Sequence, residues 1–167
     1  MTRSAADSIA FILAAEADAL AIARMSRDLI ETGLGWSWTG ARVLRAIRDP
    51  EALVLVARDG RQLIGFAIMD FGEETAHLAL LAVDPSHRRR SVGRRLFNWL
   101  RESAVTAGIA TVKLELRAGN LEAQQFYRGL GFQEVGWTVG YYRQRETALR
   151  MAMSLREPAA GNSPSVR

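Results

Sequence analysis

The stretch VDPSHRRRSVGRRL, residues 83–96, places five arginines in fourteen positions and breaks them with a single glycine. Three kinds of chemistry fit so much like charge beside a turn: a nucleic-acid patch, a solvated face, or a loop that holds a small anion such as phosphate. The neighbours discriminate. Ahead of the stretch runs EETAHLALLAV, which reads as a strand ended by Asp84-Pro85. Behind it Val92, Leu96, Leu100 and Ala104 recur every four residues, the spacing of an amphipathic helix. The arginines therefore lie between a strand end and a helix start. A helix start offers unpaired backbone N–H groups and a partial positive charge, and Gly93 lets the backbone approach a ligand closely. Arginine side chains add charge-assisted hydrogen bonds to the outer oxygens of an anion. This is a phosphate cradle. It is not of the Walker kind, because GxxxxGK followed by Ser or Thr is absent and Lys113 is the only lysine.

The bulk composition narrows the function classes. The net charge is +4 and the pI about 10.3, yet Arg88, Arg89, Arg90, Arg94 and Arg95 alone exceed that net charge. The basicity is local, whereas a nucleic-acid binder calls for further arginine stripes with interleaved aromatics, so no nucleic-acid partner is expected. With no cysteine, disulfides, thiolate chemistry and cysteine metal sites are excluded. His77 and His87 are a poor metal signature, and no metal is expected. No apolar run reaches the length of a membrane span. Arg3 followed by IAFILAA loosely imitates a leader peptide, but Asp7 interrupts the basic region and the apolar run is seven residues. A first strand followed by a helix explains the segment better, and a cytoplasmic location is expected.

The elements that must position this loop follow from periodicity and punctuation. Residues 8–14 read as a short strand and residues 16–32 as a helix ended by Gly33. GLGWSWTG is a loop, and Thr39 caps a second helix over 40–48. ALVLVARDGRQLIGFAIMDF reads as a hairpin turning at Asp59-Gly60. The helix after the arginine loop closes at Gly108, TVKLELRA alternates as a strand, and NLEAQQFYRGLG is a short helix capped by Asn120 and ended by Gly131. FQEVGWTVGYY and ETALRMAMSL are the last two strands. EPAAGNSPSVR, residues 157–167, is expected to be a flexible tail after a single domain over 1–156. The layout is α/β, one mixed sheet with helices on its faces, and lacks the regular alternation of a Rossmann domain.

Arg88-Arg89-Arg90-Ser91-Val92-Gly93 resembles the Gln/Arg-x-x-Gly-x-Gly/Ala signature of the GNAT superfamily, the acyl-CoA-dependent N-acetyltransferases. LLAVDP ahead of it and NLEAQQFYRGLGF, one helix and one strand later, strengthen the resemblance, which spans roughly residues 10–156. The cofactor half is most similar to the ribosomal-protein alanine N-acetyltransferase group. The resemblance implies a mostly antiparallel sheet of about seven strands, about four flanking helices and a V-shaped gap between strands 4 and 5. One departure stands out: Ser91 replaces the family's first glycine. Serine takes a positive φ at a cost, and the reading adopted is a helix-start residue whose hydroxyl also suits a phosphate.

The same resemblance implies the site. Acetyl-CoA is the co-substrate, with the backbone of Leu81, Ala82 and Val83 on its acetyl and pantetheine groups and Arg88, Arg89, Arg90, Ser91, Val92, Gly93 and Arg94 on its pyrophosphate. Asn120 contacts the pantetheine arm, Tyr127 holds the general-acid position and also borders the cofactor, and Phe126 is a core aromatic. Glu115, in LELRAGN, aligns with the base of LEVRxxN in the alanine acetyltransferase group. Glu73, Glu74 and His77 are its alternatives on the neighbouring strand, although His77 reads first as a hydrogen-bonded strand residue. Trp36, Trp38, Tyr141 and Tyr142 are the candidate substrate residues. ETGLGWSWT departs from that group's N-terminal signature, so the acceptor amine, a peptide N-terminus or a small molecule, stays open. A homodimer is compatible with family habit. The competing reading is a GNAT-fold module that binds acyl-CoA without catalysis.

Overall fold

The computed structural model describes residues 8–142 and 146–156. The chain forms β1 (Ile9–Leu13), α1 (Ala19–Leu29), α2 (Gly40–Arg48), β2 (Ala52–Asp59), β3 (Gln62–Phe71), β4 (Thr75–Val83), α3 (Val92–Thr106), β5 (Thr111–Arg117), α4 (Leu121–Leu130), β6 (Gln133–Tyr142) and β7 (Glu146–Ser154). The seven strands make one sheet in the order β1-β2-β3-β4-β5-β7-β6, and β4–β5 is its parallel pair. The expected fold is borne out. The tail expected over 157–167 lies outside the described residues.

Caps and turn residues set the element ends. The Thr39 hydroxyl accepts from Arg42 N–H, and the Asn120 side chain accepts from Ala123 N–H at 3.1 Å, each satisfying a donor of the first helical turn. Gly131, at φ +109°, takes the left-handed conformation that ends α4. The first predicted helix is shorter than its periodicity suggests: a single 3-10 turn over Glu16–Asp18 precedes α1, which stops at Leu29.

Two apolar layers sandwich the sheet. On one side α3 buries Val92, Leu96, Phe97, Leu100 and Ala104 against Leu78, Leu114 and Leu149. On the other, Ile22 and Ala23 of α1 and Val43 of α2 cover Val54, Phe66, Ile68 and Leu80. Each buried Val, Leu or Phe side chain contributes about 1.5–3 kcal/mol from area removed from water. β4 serves both layers. Ala76 and Leu78 face α3, while Leu80 and Ala82 face α1. The register against β3 slips between Ile68↔Leu80 and Met69↔Leu78, so Ala79 is a bulge that turns the strand over.

Candidate active site

The cleft exists because the parallel pair is short. β4 and β5 pair only through Thr75↔Thr111, Ala76↔Val112 and His77↔Lys113, yet β4 runs on to Val83 and β5 to Arg117. Beyond His77 the two strands part, and the gap opens into a cleft of about 1260 Å³. Asp84 N–H bonds to Ile64 C=O on β3 at 2.7 Å. Alternation along a strand then turns the backbone of Ala82 toward β3 and that of Leu81 and Val83 toward the gap. The expected backbone set therefore narrows to Leu81 and Val83 as groups that face an occupant of the cleft.

The arginine loop is held from behind. Asp84 accepts from Ser86 N–H at 2.9 Å and from its hydroxyl at 2.5 Å, and His87 lies between Ser86 Oγ at 2.9 Å and Asp59 Oδ2 at 3.3 Å. Asp59 belongs to the β2–β3 turn, so His87 ties the loop to the sheet rather than binding a metal. Arg89 and Ser91 both adopt left-handed conformations, at φ 63° and 60°. For a residue with a Cβ this costs roughly 1–2 kcal/mol, and the successive reversals turn backbone N–H groups toward one side. The Ser91 side chain makes no cap hydrogen bond, which corrects the reading of it as an ordinary helix-start residue: it fills a glycine-like position under strain.

Gly93 has a reason of its own. A Cβ there would lie 3.1 Å from Cζ of Phe126, so the bare backbone of α3 lets α4 close over the loop. Phe126 is accordingly a half-buried residue of the cleft wall and not the core residue expected. Arg88, Arg89 and Arg94 line the cleft with Ser91, Val92 and Gly93, whereas Arg90 stands outside its wall.

Glu115 and Tyr127 reach the cleft from opposite faces of the sheet. Leu114 and Leu116 point into the α3 layer, so Glu115 points the other way, toward α1 and α2. Its Oε2 lies 2.5 Å from Nε2 of His77, and their side chains are 21% and 41% exposed. The hydrogen bond to Glu115 raises the His77 pKa above its ordinary value, burial opposes it, and the charges of Glu115 and Asp70 add to the rise. Asp70 pairs with His77 in the register, and burial raises its carboxyl. Tyr127 packs edge-on to Phe126 and Phe132, with ring centroids at 5.1 and 5.6 Å. Burial lifts its phenol well above the ordinary value, so it keeps its proton at neutral pH. Glu73 and Glu74 are exposed at the β3–β4 turn, away from the cleft lining.

These elements are those of a known family. The model of the acetyltransferase (GNAT) family matches residues 22–132. The chain belongs to that family. It is 37% identical over 106 residues to the ribosomal protein bS18-alanine N-acetyltransferase of Salmonella typhimurium, a match covering 62% of this chain and 70% of the relative. The crystal structure of the ribosomal-protein-S18-alanine N-acetyltransferase from Escherichia coli superposes with a TM-score of 0.76 at 26% identity, covering 92% of this chain and 97% of that one. The putative acetyltransferase yncA from Salmonella typhimurium, solved with its cofactor acetyl-CoA, superposes at 0.75 with 19% identity, covering 93% and 98%.

As a GNAT acetyltransferase, the chain uses acetyl-CoA as acyl donor, and the cleft fits that molecule. The strained loop with its arginines suits a pyrophosphate, and the parted edge of β4 offers unpaired amides to an extended arm. The other half of the cleft has a different character. Here Glu31, Asp49, Asp70 and Glu115 line the wall together with Arg42 and Arg45. Glu31 was not anticipated. It is 7% exposed and organises the whole α1–α2 loop. Its Oε1 accepts from Ser37 N–H at 2.8 Å and Ser37 Oγ at 2.5 Å, and its Oε2 from Ser26 Oγ at 3.0 Å. Trp38 N–H also points at it, at 3.2 Å from Oε1. The signal was present: a carboxylate just past a helix C-terminus opposes the dipole and needs another reason to be there.

Of the aromatic candidates, Trp38 lines the cleft and stacks under the Arg42 guanidinium at 3.8 Å. Tyr141 lines it too, its phenol raised by burial and then by the Glu115 charge. Trp36 stands outside the cleft lining, its indole N–H donating to Ala23 C=O at 3.1 Å. The side chain of Tyr142 lies outside the described residues. Among the described residues no helix is long and apolar enough to cross a membrane, and no cluster of ligating side chains could hold a metal.

Proposed function

We propose that this protein acetylates a primary amine, in the first place the N-terminal α-amine of a peptide, by direct attack of that amine on the thioester of acetyl-CoA. The observation that supports the reading is that Glu115 of β5 and Tyr127 of α4 both line the cleft that opens where β4 and β5 part. Glu115 takes a proton from the incoming ammonium, directly or through one water. Tyr127, protonated at neutral pH, donates to the departing sulfur. The N–H of Leu81 or Val83 faces the gap and stabilises developing negative charge on the carbonyl oxygen. Acetyl-CoA, when bound, supplies the activated acetyl group. Its pyrophosphate is held by the amides of residues 89–94 with Arg88, Arg89 and Arg94, and its pantetheine arm by the parted edge of β4 and by Asn120.

Asp70 and Glu115 offer carboxylates to a cationic amine in a lining that also holds Arg42, Arg45 and Arg117, and Trp38 and Tyr141 bound the space around it. The names of the curated relatives support an α-amine on alanine, so a peptide beginning with alanine is the first substrate to try. The cytoplasmic location expected from the sequence is part of this reading. The experiment is CoA release with acetyl-CoA and a panel of N-terminal peptides and small amines. Turnover on a peptide supports the reading. A thermal shift with acetyl-CoA but no turnover on any amine would favour a binding module instead.

A further inference from the structure

We propose that His77 is a positioning and proton-holding partner of Glu115, so that the base of this enzyme is a two-residue unit and not a lone carboxylate. The inference rests on the amine-acetylating reading above. It starts from where the two side chains meet. His77 is the last residue of β4 to pair with β5, and Glu115 lies two positions past its partner Lys113. Their contact at 2.5 Å therefore lies at the vertex of the V, where both side chains line the cleft.

The chemistry needs such a partner. An ordinary carboxylate holds a proton near pH 4 and an α-ammonium releases one near pH 8, so a lone glutamate faces a gap of about 4 units. An imidazole, near 6.5, closes about two of them. His77 is placed to be more basic still, because Glu115 accepts its Nε2–H and Asp70 faces it from β3. With Nε2–H committed to Glu115, the ring lone pair is on Nδ1. The pair acts as a base in the form whose imidazole is neutral. When the acceptor ammonium binds, one N–H bond breaks and its proton goes to the free oxygen of Glu115. Exchange through water then moves a proton to Nδ1, so the pair settles as imidazolium and carboxylate. Loss of that proton to solvent resets it, and the partly exposed ring permits this.

The groups facing His77 set its charge balance from each neighbouring element. Glu115 and the exposed Lys113 face it from β5 and Asp70 from β3. Arg42 of α2 and Asp49 just past its end act on Asp70 with opposite signs, and Tyr141 of β6 stands near Glu115. Glu115 is thus the anion in contact with the ring, and Asp70 adds its charge from the paired position on β3, against one exposed lysine.

The test is the pH profile of kcat for the full chain with acetyl-CoA and an alanine-initiated peptide, in wild type and His77→Gln. Glutamine still donates a hydrogen bond to Glu115 but does not titrate. The expected result is a kcat lowered by about 10–100-fold at pH 7, with its acid limb moved to lower pH by about one unit or more and acetyl-CoA affinity within about twofold of wild type. Asp70→Asn is the second variant: it keeps the imidazole and removes one anion, so the acid limb moves to lower pH by a smaller step. A limb that stays in place in both variants, with kcat unchanged, overturns the role of His77 while leaving the acetylation reading intact. A wild-type protein that acetylates no amine overturns both.

Discussion

His77 and Glu115 stand on two strands that are paired at one end and parted at the other, and their side chains meet at 2.5 Å where the parting begins. The contact has a consequence for stability that is separate from catalysis. Since it raises His77 above the 6.5 of a free imidazole, its stabilisation is fully present below pH 6.5 and is lost as the pH rises through the folded value. The melting temperature of wild type should therefore exceed that of His77→Gln by more at pH 6 than at pH 9. Equal differences at the two pH values would contradict this.

The ring of Tyr127 makes its packing contacts, and its hydroxyl is the proton donor in the proposed reaction. Tyr127→Phe keeps the ring contacts to Phe126 and Phe132 and removes only the O–H. We expect kcat to fall by about 10²-fold or more, with acetyl-CoA affinity and melting temperature nearly unchanged. Steady-state kinetics beside a binding titration separate the two effects, and an unchanged kcat would remove Tyr127 as the acid.

Ser91 occupies a left-handed position with no cap hydrogen bond to compensate. Ser91→Gly relieves strain of about 1–2 kcal/mol and gives back about 0.5–1 kcal/mol in unfolded-chain entropy. The net expectation is a stabilisation of about 0.5–1 kcal/mol, read by urea unfolding, with acetyl-CoA binding retained or tightened. Weaker cofactor binding in that variant would show that the serine hydroxyl itself grips the ligand.

Glu31 holds the acceptor-side loop through four donors on Ser26, Ser37 and Trp38. Glu31→Ala leaves the buried Ser26 hydroxyl and the part-buried donors of Ser37 and Trp38 without their acceptor and should cost about 1–3 kcal/mol of stability. Because Trp38 is anchored by it, KM for the amine should rise while the Kd for acetyl-CoA, bound on the other wall, stays put. A rise in both would mean that the loop supports the whole cleft.

Most of the fold was legible because its signals are local. Helical spacing marked α3, Thr39 and Asn120 marked helix starts, and alternation marked β5. The cofactor loop was legible for the same reason, since its ligands are consecutive backbone amides. What escaped is what depends on two strands at once. The bulge at Ala79 turns β4 over, and only the register against β3 reveals it. The parallel register that ends at His77↔Lys113 places His77 beside Glu115, a pairing across 38 residues that no spacing announces. The aromatics show the other limit. Phe126 and Trp36 have similar apolar character, yet Phe126 fills the space that Gly93 leaves, while Trp36 turns to a helix carbonyl. Partner geometry, not residue type, separated wall from anchor.

The central claim is acetyl transfer to a peptide α-amine, and mass analysis of the peptide after incubation with acetyl-CoA tests it most directly. Two substrates serve: an alanine-initiated peptide with a free N-terminus, and the same peptide blocked at its N-terminus but carrying a lysine. One added acetyl group is expected on the free N-terminus and none on the blocked peptide, with the reaction lost in Glu115→Gln. Acetylation of the lysine peptide alone, or full activity in Glu115→Gln, would contradict it.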